Sequence, residues 1–197
     1  GAAHVAQTVR RIKAYKPGML VEVLVGDFQG VKRDVATLVR DGRPDVFAHN
    51  VEVVPSLQRK MRDARCSWET SVDVLKWAKQ EGARVTKTSL MVGCGETQAD
   101  TIEAIQRLRT EADVDVLTVG QYLRPTPKHA DLVRYVAPEE FEIYRQVGLE
   151  AGFKYVASGP LVRSSYRAAE AFMEGMLKKS EVHPVDRYGK KRPLPVI

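Results

Sequence analysis

Residues 84–97 read RVTKTSLMVGCGET, a β-branched and apolar stretch that ends in a glycine-rich turn. The first nine residues have the length and composition of a buried strand. Gly93 and Gly95 then permit a sharp change of direction, and Thr97 can cap a helix that begins directly after it. A strand, a short loop and a helix in this order form the repeating unit of a parallel sheet.

The same unit recurs on both sides of this stretch. The predicted strands cover residues 19–25, 46–48, 84–92, 115–119 and 154–157. The predicted helices cover residues 3–15, 31–40, 57–64, 68–81, 98–111, 138–150 and 163–179. A closed eight-stranded (β/α) barrel takes about 250 residues. We therefore predict an α/β domain over residues 1–179 that forms a partial (β/α) barrel of about five parallel strands with helical crossovers and a C-terminal helix. An irregular, basic, Pro-rich tail follows at 180–197.

Composition narrows the function classes. The 197 residues are 44% hydrophobic and carry a formal net charge of +6. No apolar run approaches the roughly 20 residues needed to cross a bilayer, so no membrane partner is predicted. The positive charge is spread out and no RNA-binding sheet signature occurs, so no nucleic-acid partner is predicted. This charge fits an acidic partner or simply a soluble surface. Cys66 and Cys94 belong to no paired cysteine motif and encode no metal site by themselves.

Chemically capable side chains follow the predicted strands, where the active face of a parallel α/β fold lies. Asn50 and Glu52 follow one strand, Glu96 follows the next, and Gln121 and Tyr122 follow the third. Taken singly, each has a plainer interpretation, such as local loop bonding for Asn50 or a tight turn for the glycine loop. The glycine loop could equally hold a phosphate at the helix N-terminus.

Two further residues leave alternatives open. Lys87 lies inside an apolar strand, and a buried lysine is costly unless it is paired. It either faces a polar barrel interior, where it could bind a carboxylate, or lies on a sheet edge. Ser164, in an Arg-Ser-Ser-Tyr sequence, is interpreted from the residues alone as a helix N-cap.

Four segments together are far more specific than any one of them. FAHNVE (47–52), TKTSLMVGCGET (86–97), GQYLRPT (120–126) and SGPLVRSSY (158–166) occur in this order and spacing. They resemble the lipoyl synthases, a family of radical S-adenosylmethionine enzymes, and the similarity extends over about residues 19–175. The residues of these segments resemble the eukaryotic, mitochondrial branch of the family, and this resemblance implies a location in the mitochondrial matrix.

The resemblance implies a reaction and its cofactors. One [4Fe–4S] cluster cleaves S-adenosylmethionine to a radical that abstracts hydrogens from an octanoyl chain on a carrier-protein lysine. A second, auxiliary [4Fe–4S] cluster is consumed as the sulfur donor. The implied partners are an acidic octanoylated lipoyl carrier protein and an electron donor such as a ferredoxin.

The resemblance also implies site residues. Ser164 would ligate the auxiliary cluster. Gly93, Gly95 and Glu96 would meet the adenine and ribose of S-adenosylmethionine. Asn50, Glu52 and Lys87 would face its methionine part or the reacting centre, with Gln121 and Tyr122 at the next strand end. No catalytic side chain is predicted.

The chain departs from the family in one large respect. The family uses a Cys-x3-Cys-x2-Cys and a Cys-x4-Cys-x5-Cys motif for its clusters, and neither occurs here. We therefore expect this chain to be the C-terminal part of the enzyme and to be inactive by itself. An alternative is a shortened paralogue that serves as a binding module for S-adenosylmethionine or a carrier protein. We also expect an unpaired sheet edge near residues 21–25 to promote oligomerisation.

Overall fold

The structure, a computed structural model, describes residues 1–165 and 173–177. Within this part of the chain, five strands form one sheet in the order β1-β2-β3-β4-β5, and every neighbouring pair is parallel. The strands are β1 Glu22–Leu24, β2 Val46–Ala48, β3 Thr86–Val92, β4 Val116–Gln121 and β5 Tyr155–Gly159. The sheet does not close between β1 and β5 in the described residues, so the predicted partial barrel is confirmed.

Helices connect the strands on one face of the sheet. They are α1 Ala2–Tyr15, α2 Lys32–Thr37, α3 Gln58–Met61, α4 Trp68–Gln80, α5 Gln98–Ala112 and α6 Pro138–Ala151. Residues 173–177 are also helical. The start of the predicted last helix after Ser165 and the predicted tail at 180–197 lie outside the described residues, as does any capping of that helix by Ser164.

Local signals account for the helix ends. The Thr97 hydroxyl accepts a hydrogen bond from Asp100 N, and the Asp100 carboxylate accepts one from Thr97 N, which is a complete capping box. Pro138 occupies the first turn of α6, and Gly152 ends that helix in the left-handed conformation. The predicted cap at Thr97 and the predicted helix start at residue 138 are confirmed.

Three elements are shorter than predicted. β1 has three residues because it lies at the sheet edge and pairs only with β2. α2 ends at Thr37 and continues as a π-helical turn, Leu38–Gly42. In this turn Gly42 lies close to α1, and a Cβ atom there would be crowded, 3.0 Å from Ala6 Cα. α3 is a single turn because Arg62 adopts an extended conformation directly after it.

The two faces of the sheet differ in character. Alternate residues such as Leu90, Val92 and Leu117 pack against the helices in the main apolar core. The opposite, interior face is apolar only in its lower part, where Val46, Val85 and Val116 contact Met173 and Leu177. Its upper part carries polar residues, including Lys87, Ser89 and Thr118. The described part of the chain contains no helix long and apolar enough to span a membrane.

Candidate functional site

Five of the nine predicted site residues line one cavity at the carboxyl ends of the strands. The cavity has a volume of about 210 Å³. The five residues are Asn50, Glu52, Gln121, Tyr122 and Ser164. They come from the end of β4 and from the connections after β2, β4 and β5, so the fold brings them together. This agrees with the position of active sites in parallel α/β folds.

Glu52 has an unusual backbone conformation for its residue type, with φ at +68°. It is held there by a single bridge to β3, in which Glu52 N donates to Ser89 O and Met91 N donates to Glu52 O. Such a conformation costs on the order of 1–3 kcal/mol and is frequent at functional sites. Burial raises the pKa of the Glu52 carboxyl, partly offset by a hydrogen bond with Asn50. The Glu52 carboxyl lines the cavity, where it could accept a hydrogen bond from a ligand.

Gln58 supports this strained segment and had no signal in the sequence. Its buried Nε2 donates to Val51 O at 2.9 Å and to Val53 O at 2.6 Å. Its Oε1 accepts from Arg62 at 2.9 Å. Gln58 therefore fixes the backbone on both sides of Glu52.

The side-chain amide of Gln121 uses both its nitrogen and its oxygen in hydrogen bonds within the protein. Its Nε2 lies 3.1 Å from the carbonyl oxygens of Val92, Tyr122 and Arg134, and its Oε1 accepts from Val136 N at 2.8 Å. The Tyr122 hydroxyl likewise donates to Ala130 O. These bonds fasten the loop after β4, which favours a positioning role over ligand contact. Contact of either residue with a cofactor stays a prediction.

The glycine loop lies beside this cavity and is closed by its own side chains. The buried Glu96 carboxylate accepts from Gly93 N at 2.6 Å and Cys94 N at 3.0 Å. Both glycines have positive φ, +98° at Gly93 and +118° at Gly95. A Cβ atom at Gly93 would lie 2.5 Å from Arg134 O, so the missing side chain makes room for protein rather than for open space. The geometry supports the plainer interpretation of a tight turn.

Ser164 stands on a turn that crosses the end of β4. Arg163 Nη1 donates to Gln121 O at 3.2 Å, and a side chain at Gly120 would overlap the Val162 carbonyl oxygen. Ser164 separates this cavity from a larger one of about 490 Å³ that extends along β1. Its hydroxyl has no hydrogen-bond partner within the described residues, so it remains available to a ligand.

Lys87 lies outside the cavity. It is buried on the interior face of β3, between β2 and β4, and its Nζ lies 2.8 and 3.0 Å from the two carboxylate oxygens of Glu22. The structure therefore favours the barrel interior over the sheet edge. Because Glu22 already neutralises Lys87, contact of Lys87 with a ligand stays a prediction.

His49 adds a polar group that the site prediction did not include. Its Nδ1 contacts Val25 O at 2.9 Å, and its Nε2 is buried without a partner in the described part of the chain. Burial lowers the pKa of this imidazole. His49 lines a third cavity of about 230 Å³ together with Asn50, Glu52 and Arg62. Asn50 and Glu52 therefore form a shared wall between the two cavities.

The described residues do not fit an iron–sulfur cluster held by this chain alone. No group of three or more His, Cys, Asp or Glu residues in residues 1–165 and 173–177 could hold a metal. Cys94 is fully buried, and burial together with the nearby Glu96 raises the pKa of its thiol to about 12. A thiol in that state is a poor source of the thiolate that such clusters require.

Comparison with known proteins gives two concordant results. The Radical SAM superfamily model matches residues 3–108. The chain is 52% identical over 179 residues to a protein of Ostreococcus lucimarinus named "Lipoyl synthase, mitochondrial", covering 91% of this chain and 44% of that protein. It is 52% identical over 181 residues to "Lipoyl synthase, chloroplastic" of Arabidopsis thaliana, covering 91% and 45%. The chain thus spans about half the length of the curated relatives it matches.

Proposed function

Because this chain belongs to the radical SAM superfamily, we propose that it is part of a lipoyl synthase. Such an enzyme inserts two sulfur atoms into an octanoyl chain bound to a carrier protein, using S-adenosylmethionine and iron–sulfur clusters. The observation that carries the proposal is the meeting of Asn50, Glu52 and Ser164 around one cavity, at positions whose motifs resemble that family. High identity to proteins of that name over 91% of the chain supports it.

S-adenosylmethionine would occupy the two cavities that share Asn50 and Glu52. One cavity offers the Glu52 carboxyl beside Asn50, which suits the amino group of the methionine part. The other places the guanidinium of Arg62 and the free Nε2 of His49 within reach of an amino-acid end. Gly93, Gly95 and Glu96 would then shape the adenine side of the site through their loop, and Gln121 and Tyr122 would hold the opposite loop in place.

The clusters would require cysteines that this chain does not contain. When bound, they would supply the electron that cleaves S-adenosylmethionine and the sulfur that is transferred. Within this chain, the Ser164 hydroxyl is the group proposed to contribute a ligand to the auxiliary cluster. Oxygen is a harder ligand for iron than thiolate, and we infer that this eases release of the cluster iron.

The proposed partners follow from the reaction. They are an octanoylated lipoyl carrier protein with an acidic surface and an electron donor such as a ferredoxin. The relatives are named mitochondrial or chloroplastic. For this chain we propose the mitochondrial matrix.

A second candidate is favoured by the cysteine content, since two isolated cysteines would suit a non-catalytic binding module. Expression of the complete reading frame that contains this chain, in cells lacking lipoyl synthase, separates the two. The enzyme proposal expects lipoyl-lysine on carrier proteins by mass spectrometry, lost on Ser164→Ala. A complete frame without cluster cysteines, which restores no lipoyl-lysine, would instead support the binding module.

A further inference from the structure

We propose that the loops after β4 and β5 form a docking surface for a small, folded, acidic carrier domain that presents an acylated lysine to the cavity. This surface, called the rim below, consists of residues 123–135 and 160–163. The inference rests on the proposed function and adds to it the surface of this chain that recognises the partner.

The rim carries four of the ten large apolar side chains that are exposed in the described residues. Tyr135 is 74% exposed and Leu161 is 81% exposed, and Leu123 and Val133 are also exposed. Contiguous exposed apolar residues commonly mark interaction sites, and tyrosine is enriched where binding energy concentrates. The rim therefore has the composition of an interface.

The rim is continuous with the candidate site. Leu123 lines the cavity itself, together with Val162 and Arg163 that follow Leu161. Val133 N donates to Gly93 O at 3.0 Å, so this part of the rim is attached to the glycine loop. A partner bound here would cover the entrance through which a tethered substrate must pass.

The charge of the rim selects the kind of partner. It contains Arg124, Lys128, Arg134 and Arg163 against one acidic residue, Asp131. A positive rim around apolar contacts is complementary to an acidic protein surface, which speeds and orients association. Arg124 and Arg134 pair with Asp131 and Glu140, so Lys128 and Arg163 are the rim's cations without an ion pair in the described residues. The apolar groups lie on two loops rather than on an amphipathic helix, which disfavours a membrane surface.

The rim is also held in one conformation before any partner arrives. Arg124 Nε donates to His129 O at 3.0 Å, and the Tyr122 hydroxyl donates to Ala130 O at 2.8 Å. The Gln121 amide holds the far end of the loop at Arg134 and Val136. A surface that is already ordered loses little conformational entropy on binding.

The test measures binding of an octanoylated acidic carrier domain to this chain by calorimetry at low and high salt. Tyr135→Ser should weaken binding about tenfold, since it removes a central aromatic contact. Lys128→Glu should weaken it several-fold and reduce its salt dependence. Tyr15→Ser and Lys16→Glu are the matched controls, because Tyr15 is 93% exposed at the end of α1 that leads to the start of β1. The controls should leave affinity unchanged.

Separate titrations with S-adenosylmethionine and a short octanoyl-lysine peptide distinguish the two levels of the proposal. Two results would overturn the docking proposal and leave the proposed function standing. In the first, the small ligands bind but the carrier domain does not. In the second, both rim variants bind the carrier domain as tightly as the unmodified chain does. If neither small ligand binds, the proposed function fails. Binding of RNA or of anionic vesicles that depends on the rim, without binding of the carrier domain, would also overturn the docking proposal.

Discussion

The Gln121 side-chain amide occupies the space in which a side chain at Gly93 would begin. The two residues end adjacent strands, and Gln121 uses its position there to hold the backbone of Arg134 and Val136. Because Gly93 has no side chain, the loop after β4 can close over the end of β3, and a glycine is therefore required at this position.

Gly93→Ala should destabilise the protein more than Gly95→Ala. Both glycines have positive φ, so each alanine carries a conformational cost of about 1–2 kcal/mol. Only the alanine at position 93 must also displace Gln121 and Arg134, which raises the loss to roughly 3 kcal/mol. Urea unfolding of both variants measures the difference. Equal losses would mean that the loop after β4 yields easily and that Gln121 does not fasten it.

Glu52 predicts a trade-off between stability and binding. Its left-handed backbone favours glycine, and burial raises the pKa of its carboxyl, so the ionised form disfavours folding at neutral pH. Glu52→Gly should therefore be more stable than Glu52→Ala by about 1 kcal/mol, while both lose S-adenosylmethionine binding. Thermal unfolding and calorimetry on the same samples test this. A Glu52→Gly variant that binds normally would show that the Glu52 carboxyl has no role in ligand recognition.

Asp115 should dominate the acid sensitivity of the fold. This buried carboxylate joins three elements through Lys79, Lys154 and Thr86 N. Burial alone would raise the pKa of Asp115, but hydrogen bonds from Lys154, Lys79 and Thr86 lower it overall from 3.8. A lowered folded-state pKa gives stability that is present above the unfolded pKa and is lost as pH falls through the folded value. Stability should thus be constant near neutrality and decline below about pH 4.

Asp115→Asn should cost about 1–3 kcal/mol at neutral pH, because it removes the charge of a buried acceptor that is bonded by Thr86 N and by the partly exposed Lys79 and Lys154. The exposed Asp131→Asn, which breaks a surface pair with Arg124, should cost less than about 1 kcal/mol. Chemical unfolding of both variants from about pH 3 to pH 7 gives these values. A steep acid transition that persists unchanged in Asp115→Asn would assign the effect to other carboxylates.

The exposed edge strand predicts self-association of this chain. In the described residues β1 pairs only with β2, and Leu24 is exposed next to the open edge. Light scattering should detect concentration-dependent oligomers, reduced by Leu24→Lys because charge at an edge disfavours pairing. Leu149→Lys, on the exposed surface of α6, is the matched control and should have no effect. A monomer at every concentration would show that the edge is protected.

The order of strands and helices was predictable from the sequence because each depends on nearby residues. The cap at Thr97 and the helix start at residue 138 depend on residues within a few positions of the chain, and both were correctly predicted. The roles of Gln58 and Gln121 were not predictable, since their partners are set by the packing of separate loops. The π-helical turn at Leu38–Gly42 depends on contact with α1 and escaped prediction for the same reason.

The candidate site was predicted in part. The motifs located Asn50, Glu52 and Ser164 at strand ends, and the parallel sheet brings them to one cavity. The partner of Lys87 could not be inferred, because Glu22 reaches it across β2 from the edge strand. The left-handed conformation of Glu52 also has no sequence signal, since glutamate rarely adopts it.

Calorimetric titration of S-adenosylmethionine into this chain tests the central claim most directly, with Glu52→Ala as the site variant and Asp131→Asn as the control. The account predicts one saturable site, an affinity reduced at least about tenfold by Glu52→Ala, and no change with Asp131→Asn. Absence of saturable binding to the unmodified chain, or equal affinity in Glu52→Ala, would contradict the assignment of this cavity.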